Sequence, residues 1–482
     1  MSPMRVLVTG ASGYVGGRLV PALLARDFDV TCLARRPEKL TRAPWAKSVE
    51  IIKGSVGDDL GGAFTGIDLA VYLVHSIGQG EDWAATELRD ARSFARSAAA
   101  AGVRRIVYLG GLGDDSDELS EHLRSRHDVG EALGSTGIEV LELRAGVIIG
   151  SGSASFEMLR YLVEVLPVMV TPRWVSTRCQ PVAIADVIEV LVRAISGEGP
   201  TSGIYDLGGA EVIDYERMMM LYAEEAGLPR RRLLKVPFLT PRLSSHWVGL
   251  VTPVPAPLAR ELVESLVNEV TVTRSATEAF GVTPLSLHEA FDRARRAISD
   301  DNVPTRHTDA DLAAFAPIAT DPAWAGGTVL RDVRIEHTTA GALALWEAVT
   351  GIGGTNGWYA GEFLWRVRGW FDQIVGGPGL RRGRRGDLAV GDPLDFWRVE
   401  ALEPEHLLRL RAEMRLPGHA WLSWEINEDD SGRRVLTQVA EYRPRGLLGR
   451  LYWFAVAPFH RFVFPGMLKG LVASAEHAGT TR

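Results

Sequence analysis

Apolar positions in the first 150 residues fall into short runs separated by stretches of helical periodicity. The runs at 5–9, 29–34, 49–53, 68–74, 105–109 and 138–143 have the length and composition of buried strands. Between the fourth and fifth, Ala84, Leu88, Ala91, Ala95 and Ala98 recur three or four residues apart, which predicts a helix with one apolar face. Gly102 follows, where a left-handed cap is expected. Strands alternating with helices predict an α/β fold built on a doubly wound parallel sheet. Residues 151–300 are less regular, with Asp214 as the expected N-cap of a helix to Ala226. The proline run Pro253, Pro255 and Pro257 then predicts a stiff loop before a helix over 258–268.

The pattern changes beyond residue 300. Residues 301–327 lapse into Asp, Thr, Pro and Ala without periodicity and are expected to be a linker. Farther on, Leu408, Leu410 and Ala412 alternate with Arg409, Arg411 and Glu413. Similar runs at 331–339, 394–400, 407–415, 420–426 and 435–442 predict an antiparallel sheet, closed by a long terminal helix. The expected domains are therefore 1–300, with a substrate lobe mainly at 151–300, and 328–482, an α+β domain. Nine of the 13 Trp lie between Trp324 and Trp453, which sets the second domain apart.

Composition narrows the function. A net charge of −7 with 46% hydrophobic residues excludes a disordered chain and gives no bulk basic field for nucleic acid. Arg381, Arg382, Arg384 and Arg385 form the dense basic run, but Gly383 and Asp387 and the lack of interleaved aromatics predict a solvated loop. Two Cys without metal spacing, and no basic leader before the first apolar run, predict a reducing cytoplasm. The apolar stretch 451–472 carries Pro458, His460, Arg461, Pro465 and Lys469, so stable membrane insertion is not expected.

One local motif carries chemistry. Thr9-Gly10-Ala11-Ser12-Gly13-Tyr14-Val15-Gly16 joins the first strand to a helix reaching about Ala25. Glycines at this spacing permit a tight turn, close approach of a pyrophosphate to backbone, and close helix packing. The start of the helix then offers N–H groups and a favourable dipole to phosphate. At the end of the second strand, Arg35 and Arg36 stand where an NAD-selective site would carry an acid. Their guanidinium forks suit a 2′-phosphate, so NADP is the expected cofactor, with NAD left open.

These residues resemble the extended and atypical branch of the short-chain dehydrogenase/reductase superfamily, including its NmrA-like and nucleoside-diphosphate-sugar-epimerase-like members. The similarity extends through Leu143-Arg144-Ala145-Gly146-Val147-Ile148-Ile149-Gly150 and Gln180-Pro181-Val182-Ala183-Ile184-Ala185-Asp186-Val187. It implies an NAD(P)-binding Rossmann domain over roughly residues 4–300. It also implies cofactor contacts at Val74, His75, Gly110, Gly111 and Arg144, besides the glycine loop with Thr9, Ser12, Tyr14 and Val15.

The chain departs from that superfamily in its catalytic residues. The family pairs a Tyr with a Lys four residues on, and none of the ten Tyr here has such a Lys. His122 and Arg126 occupy the two places, and Gly110-Gly111 replaces the usual Ser. His122, with an ordinary pKa near 6.5, and His75, at a strand's end, become the proton-transfer candidates, with Arg126 holding ribose or charge. Each is equally readable as a structural residue, and a dinucleotide-sensing or scaffold protein without turnover is the competing expectation.

Gly391-Asp392-Pro393-Leu394-Asp395-Phe396-Trp397-Arg398-Val399 and Leu436-Thr437-Gln438-Val439-Ala440-Glu441-Tyr442-Arg443-Pro444 are similar to the domain of unknown function appended to that subgroup. That domain resembles the START-like helix-grip (SRPBCC) fold, which implies a cavity between sheet and helix. Trp346, Trp365, Trp370, Trp397, Trp421, Trp424 and Trp453 are candidates either to line the cavity or to fill the core. The expected function is thus an oxidoreductase acting on an apolar carbonyl or quinone, with a hydrophobic small-molecule ligand as partner and a homo-oligomer left open.

Overall fold

A computed structural model describes residues 3–41, 43–75, 83–113, 119–236, 252, 254, 256–299, 329–353, 357–374, 388–429, 432–444 and 446–480. The chain forms two compact units that part between residues 326 and 327. The expected linker, Pro253 and Pro255 of the proline run, and the Arg381–Arg385 run lie outside the described residues, while Pro257 falls within the helix Ala256–Ser265 rather than in a loop.

The first unit is built on seven parallel strands: β1 (Arg5–Thr9), β2 (Asp29–Ala34), β3 (Glu50–Lys53), β4 (Leu69–Tyr72), β5 (Arg105–Gly111), β6 (Glu139–Ala145) and β7 (Gly203–Leu207). Their order is β7-β6-β5-β4-β1-β2-β3, so the winding direction reverses between β1 and β4. That reversal leaves a crevice at the strands' carboxyl ends, where open α/β sheets bind ligands. Helices α1 (Tyr14–Leu24), α2 (Trp83–Ala100), α3 (Glu121–Gly134), α4 (Ala154–Val165), α5 (Ile184–Ser196), α6 (Tyr215–Glu225), α7 (Ala256–Ser265) and α8 (Leu287–Ser299) complete the unit.

The β1 run is apolar without interruption because both of its faces are covered. Val6 and Val8 join a core with Leu19 and Leu23 of α1 and Ile184 of α5, while Leu7 joins Phe94 of α2 and Leu133 of α3 on the other side. Each such side chain removed from water contributes about 1.5–3 kcal/mol. The expected caps are present: Gly102 takes φ +78°, and the Asp214 carboxylate accepts from Arg217 N at 2.7 Å. Strand β5 runs two residues past the apolar pattern because Gly110 and Gly111 stay in register with Arg144 and Ala145 of β6. The lobe adds pairings with no sequence signal, such as Val168–Pro172 with Arg232–Val236.

The second unit is a six-stranded antiparallel sheet: β8 (Leu330–Thr338), β9 (Pro393–Leu394), β10 (Trp397–Glu403), β11 (Leu407–Ala412), β12 (Gly418–Glu428) and β13 (Arg434–Pro444). The order is β8-β13-β12-β11-β10-β9. Helices α9 (Ala342–Thr350), α10 (Glu362–Ile374) and the long α11 (Gly446–Thr480) accompany it, and α11 packs on α9, β8 and β13. The run expected at 394–400 is broken in two. Asp395 turns the chain with φ +52°, and its Oδ2 accepts the indole N–H of Trp358 at 2.8 Å. Among the described residues no helix is long and apolar enough to cross a membrane.

Candidate functional site

The crevice between β1 and β4 is shaped by backbone. Gly10 leaves β1 with φ +72°, a conformation that side chains rarely adopt, and a Cβ there would lie 2.9 Å from the Leu73 carbonyl oxygen. Gly13 N donates to Gly10 O at 2.9 Å, closing the turn. A Cβ on Gly16 would lie 2.3 Å from that same Gly10 oxygen, so only glycine lets α1 come this close to the turn. A Cβ on Gly13 would meet nothing nearer than Gly10 O at 3.1 Å, and Ser12 and Gly13 are exposed. Helix α1 starts without a side-chain cap, leaving the N–H groups of Tyr14, Val15 and Gly16 directed at this opening. The turn therefore fits a dinucleotide pyrophosphate.

Thr9 does not extend that surface. It is fully buried, donates from Oγ1 to Val71 O and accepts from Leu73 N, both at 3.1 Å, and so ties β1 to the end of β4. It therefore holds the crevice's two walls together. Tyr14 braces the turn from the other side: residue 150 has no room for a Cβ because Tyr14 Oη would stand 2.3 Å away. Arg18, 3% exposed, lies over the Tyr14 ring at 4.1 Å and donates to Ser151 O at 3.1 Å. Sequence reasoning missed Arg18, although a charge inside an apolar helix face was its signal.

Arg35 and Arg36 are both exposed just past the carboxyl end of β2. Arg35 stands close enough to Asp90 of α2 to favour that carboxylate's charged form, against the burial that raises its pKa. Val74 and His75 follow β4 in the crevice. His75 is open to solvent on one side, yet enclosure by the surrounding chain, then the charge of Arg126 and the nearby His122, push its imidazole well down.

Helix α3 sets His122 and Arg126 one turn apart, beginning at Ser120, whose Oγ accepts from Leu123 N. His122 does not keep its ordinary titration. Burial, then Arg126, pushes its pKa down to about 4, although Glu261 Oε2 of α7 lies 3.6 Å from its Nδ1. Its ring also lies 6.5 Å from Trp83. At neutral pH it is therefore an uncharged imidazole. Arg126 is 6% exposed; its Nη2 donates to Leu109 O, its Cζ lies 5.3 Å from the Tyr108 ring centre, and its buried Nη1 has no hydrogen-bond partner.

The two glycines at the end of β5, where the usual Ser is absent, are closely packed. A Cβ on Gly111 would meet Leu123 Cδ2 at 2.9 Å, and one on Gly110 would meet Glu142 Oε1 at 3.1 Å. Glu142 fills the space beneath α3, which Gly130 vacates: a Cβ there would lie 2.2 Å from Glu142 Oε2. Arg144 is spent in the same layer, donating from Nε to Glu142 Oε1 at 2.7 Å with little exposure of either side chain. In this structure the side chain expected at the cofactor forms a buried ion pair. His127, also overlooked, places Nε2 3.2 Å from Gly111 O. Among the described residues no group of His, Cys, Asp and Glu is arranged to hold a metal.

The second unit encloses a cavity of about 440 Å³ between its sheet and helices α10 and α11. Trp365, Trp397, Trp421 and Trp453 line it. The other candidates do not: Trp424 is fully buried and donates to Gln438 Oε1 at 3.1 Å, Trp346 packs on the core, and Trp370 is largely exposed.

Comparison with known proteins agrees with this division. Residues 10–138 match the family model described as NAD(P)H-binding, and residues 324–467 match "Protein of unknown function (DUF2867)". An uncharacterized protein of Mycobacterium tuberculosis is 26% identical over 218 residues, 45% of this chain and 23% of that protein. A 3-beta-hydroxysteroid dehydrogenase of Mycolicibacterium neoaurum is 34% identical over 108 residues, 22% of this chain and 28% of that one. The chain spans about a quarter of the length of the curated relatives it matches. Similar solved structures include an Escherichia coli NADPH-dependent quinone oxidoreductase complexed with NADPH, at 19% identity, 59% and 98% coverage of the two chains and a TM-score of 0.49. A Citrobacter triphenylmethane reductase complexed with NADP(H) gives 20%, 60%, 100% and 0.49. The N-terminal unit thus has a Rossmann-like parallel sheet, and its residues 10–138 are similar to the NAD(P)H-binding family.

Proposed function

We propose that the protein is an NAD(P)(H)-dependent oxidoreductase, with NADP preferred, acting on an apolar carbonyl or quinone-like small molecule. One observation carries the reading: the glycine turn and the uncapped start of α1 open onto the crevice that also holds His75, with His122 and Arg126 acting on it electrostatically. A bound dinucleotide would supply hydride chemistry there. The chain's own residues divide the remaining work. The N–H groups of Tyr14, Val15 and Gly16 hold the pyrophosphate, and the exposed fork of Arg35 receives a 2′-phosphate. Arg126 is a fixed positive charge whose field favours negative charge growing on a carbonyl oxygen. His75 and His122, uncharged, can each offer one ring N–H as a hydrogen bond to the carbonyl oxygen, the proton that completes the alcohol coming from solvent.

The second unit is proposed as a helix-grip module that holds a hydrophobic ligand, supported by the Trp-lined cavity. A cytoplasmic setting accords with two buried free cysteines. A second reading, dinucleotide sensing without turnover, is favoured by Arg126, whose Nη2 is held by the Leu109 carbonyl rather than aimed at substrate. NADPH oxidation against a panel of carbonyls and quinones separates the two. Turnover of any of them supports the oxidoreductase, whereas tight NADPH binding without turnover supports the sensor.

A further inference from the structure

The cavity of the second unit is mostly apolar, with a few polar groups on its wall. Its walls are Trp, Leu, Met, Val and Phe side chains, but Arg368 of α10 and Trp397 of β10 also reach it. Arg368 Nη2 is buried and has no hydrogen-bond partner. Its guanidinium lies 5.3 Å from the Tyr452 ring centre and interacts with the Tyr452 hydroxyl, but among the described residues it forms no ion pair. Asp372, one turn further along α10, is engaged elsewhere and accepts from Arg415 N at 2.9 Å. Trp397 is 5% exposed, and its Nε1 also has no partner. The carboxylate on the cavity wall, Glu441, is neutralised by Arg331 at 2.8 Å and Arg409 at 3.1 Å. His460 Nδ1, a third unpartnered nitrogen on the lining, belongs to a ring that burial keeps uncharged, with Asp332 opposing and Arg334 reinforcing that shift.

Buried donors without acceptors are costly and rare, and two on one apolar cavity point to an absent acceptor. The uncompensated charge is a single guanidinium, whose planar fork matches a carboxylate and whose one positive charge matches a monoanion. We propose that this cavity binds an amphiphilic carboxylic acid: its carboxylate meets Arg368 Nη2 and Trp397 Nε1, and its hydrocarbon lies against the remaining wall. The inference rests on the second unit being a hydrophobic-ligand module and adds the class of ligand.

The test uses the full chain and the neutral fluorescent probe N-phenyl-1-naphthylamine, displaced by dodecanoate or by 1-dodecanol below their aggregation limits. Dodecanoate should displace the probe at a concentration about tenfold lower, the effect of one charge-assisted hydrogen bond. Arg368→Met should abolish that preference while leaving dodecanol unchanged, and Arg368→Lys should keep most of it. Trp397→Phe, which keeps an aromatic wall but removes the N–H, should weaken dodecanoate more than dodecanol. Equal displacement by acid and alcohol in the parent protein, or a preference that survives Arg368→Met, overturns the proposal while leaving an apolar-ligand module standing. A probe that neither brightens nor is displaced overturns the module reading as well.

Discussion

The place a Cβ on Gly16 would take is 2.3 Å from the carbonyl oxygen of Gly10, the residue that turns the chain out of β1. The same contact that lets α1 abut the turn makes position 16 a folding position. Gly16→Ala must push backbone against backbone, and such overpacking costs about 1–3 kcal/mol. A lower unfolding midpoint in denaturant is expected even without cofactor, and an unchanged midpoint would contradict the packing.

Arg35 stands at the carboxyl end of β2 with its side chain exposed. Arg35→Ala should weaken NADPH about tenfold or more while changing NADH little, because only NADPH presents a 2′-phosphate to the fork. Titration of both nucleotides by fluorescence checks this. Equal losses would remove the 2′-phosphate assignment.

His122 gives stability a pH dependence. Its pKa falls from 6.5 in the unfolded chain to about 4 in the folded protein. Between those values the unfolded state binds the extra proton, so the contribution is fully present above pH 6.5 and is lost as pH falls towards 4. The loss amounts to up to about 3 kcal/mol. Urea unfolding of the parent and of His122→Asn across this range should give curves that converge towards acid pH. Parallel curves would place the imidazole in an ordinary environment.

Glu142 and Arg144 form a buried pair, and removing one partner leaves the other charged and unpaired. Glu142→Gln should destabilise by about 3–5 kcal/mol, whereas replacing both partners with Leu and Met should cost much less. In the double variant NADPH affinity should remain, since Arg144 faces Glu142 and not the turn. Lost affinity in a folded double variant would restore Arg144 as a cofactor residue.

Much of this fold is legible in the sequence because burial on two faces writes continuous apolar runs, as in Val6, Leu7 and Val8, and burial on one face writes alternation, as in Leu408 and Leu410. The glycine turn is equally legible, since no other residue fits Gly10 or Gly16. What stays hidden are the partners of charged residues within apolar runs. Arg144 and Arg126 look like ligands for a cofactor until their three-dimensional neighbours, Glu142 and the Leu109 carbonyl, are known. The titration of His122 is hidden for the same reason: it depends on how far helix α3 buries the ring and on Arg126, one turn away. Spacing along the chain likewise cannot separate Trp397, which lines the cavity, from Trp424, which fills the core.

Position 13 separates binding from folding. Gly13 has ordinary backbone angles, φ −92° and ψ 176°, and a Cβ there would lie 3.1 Å from Gly10 O, tight but far less so than the 2.3 Å at position 16. NADPH affinity of the full chain, measured calorimetrically beside Gly13→Ala, is the most direct test of a dinucleotide at this turn. The parent should bind one NADPH per chain, and Gly13→Ala should weaken it by about tenfold or more while lowering the unfolding midpoint less than Gly16→Ala does. No binding by the parent, or equal affinity in Gly13→Ala, would contradict the account.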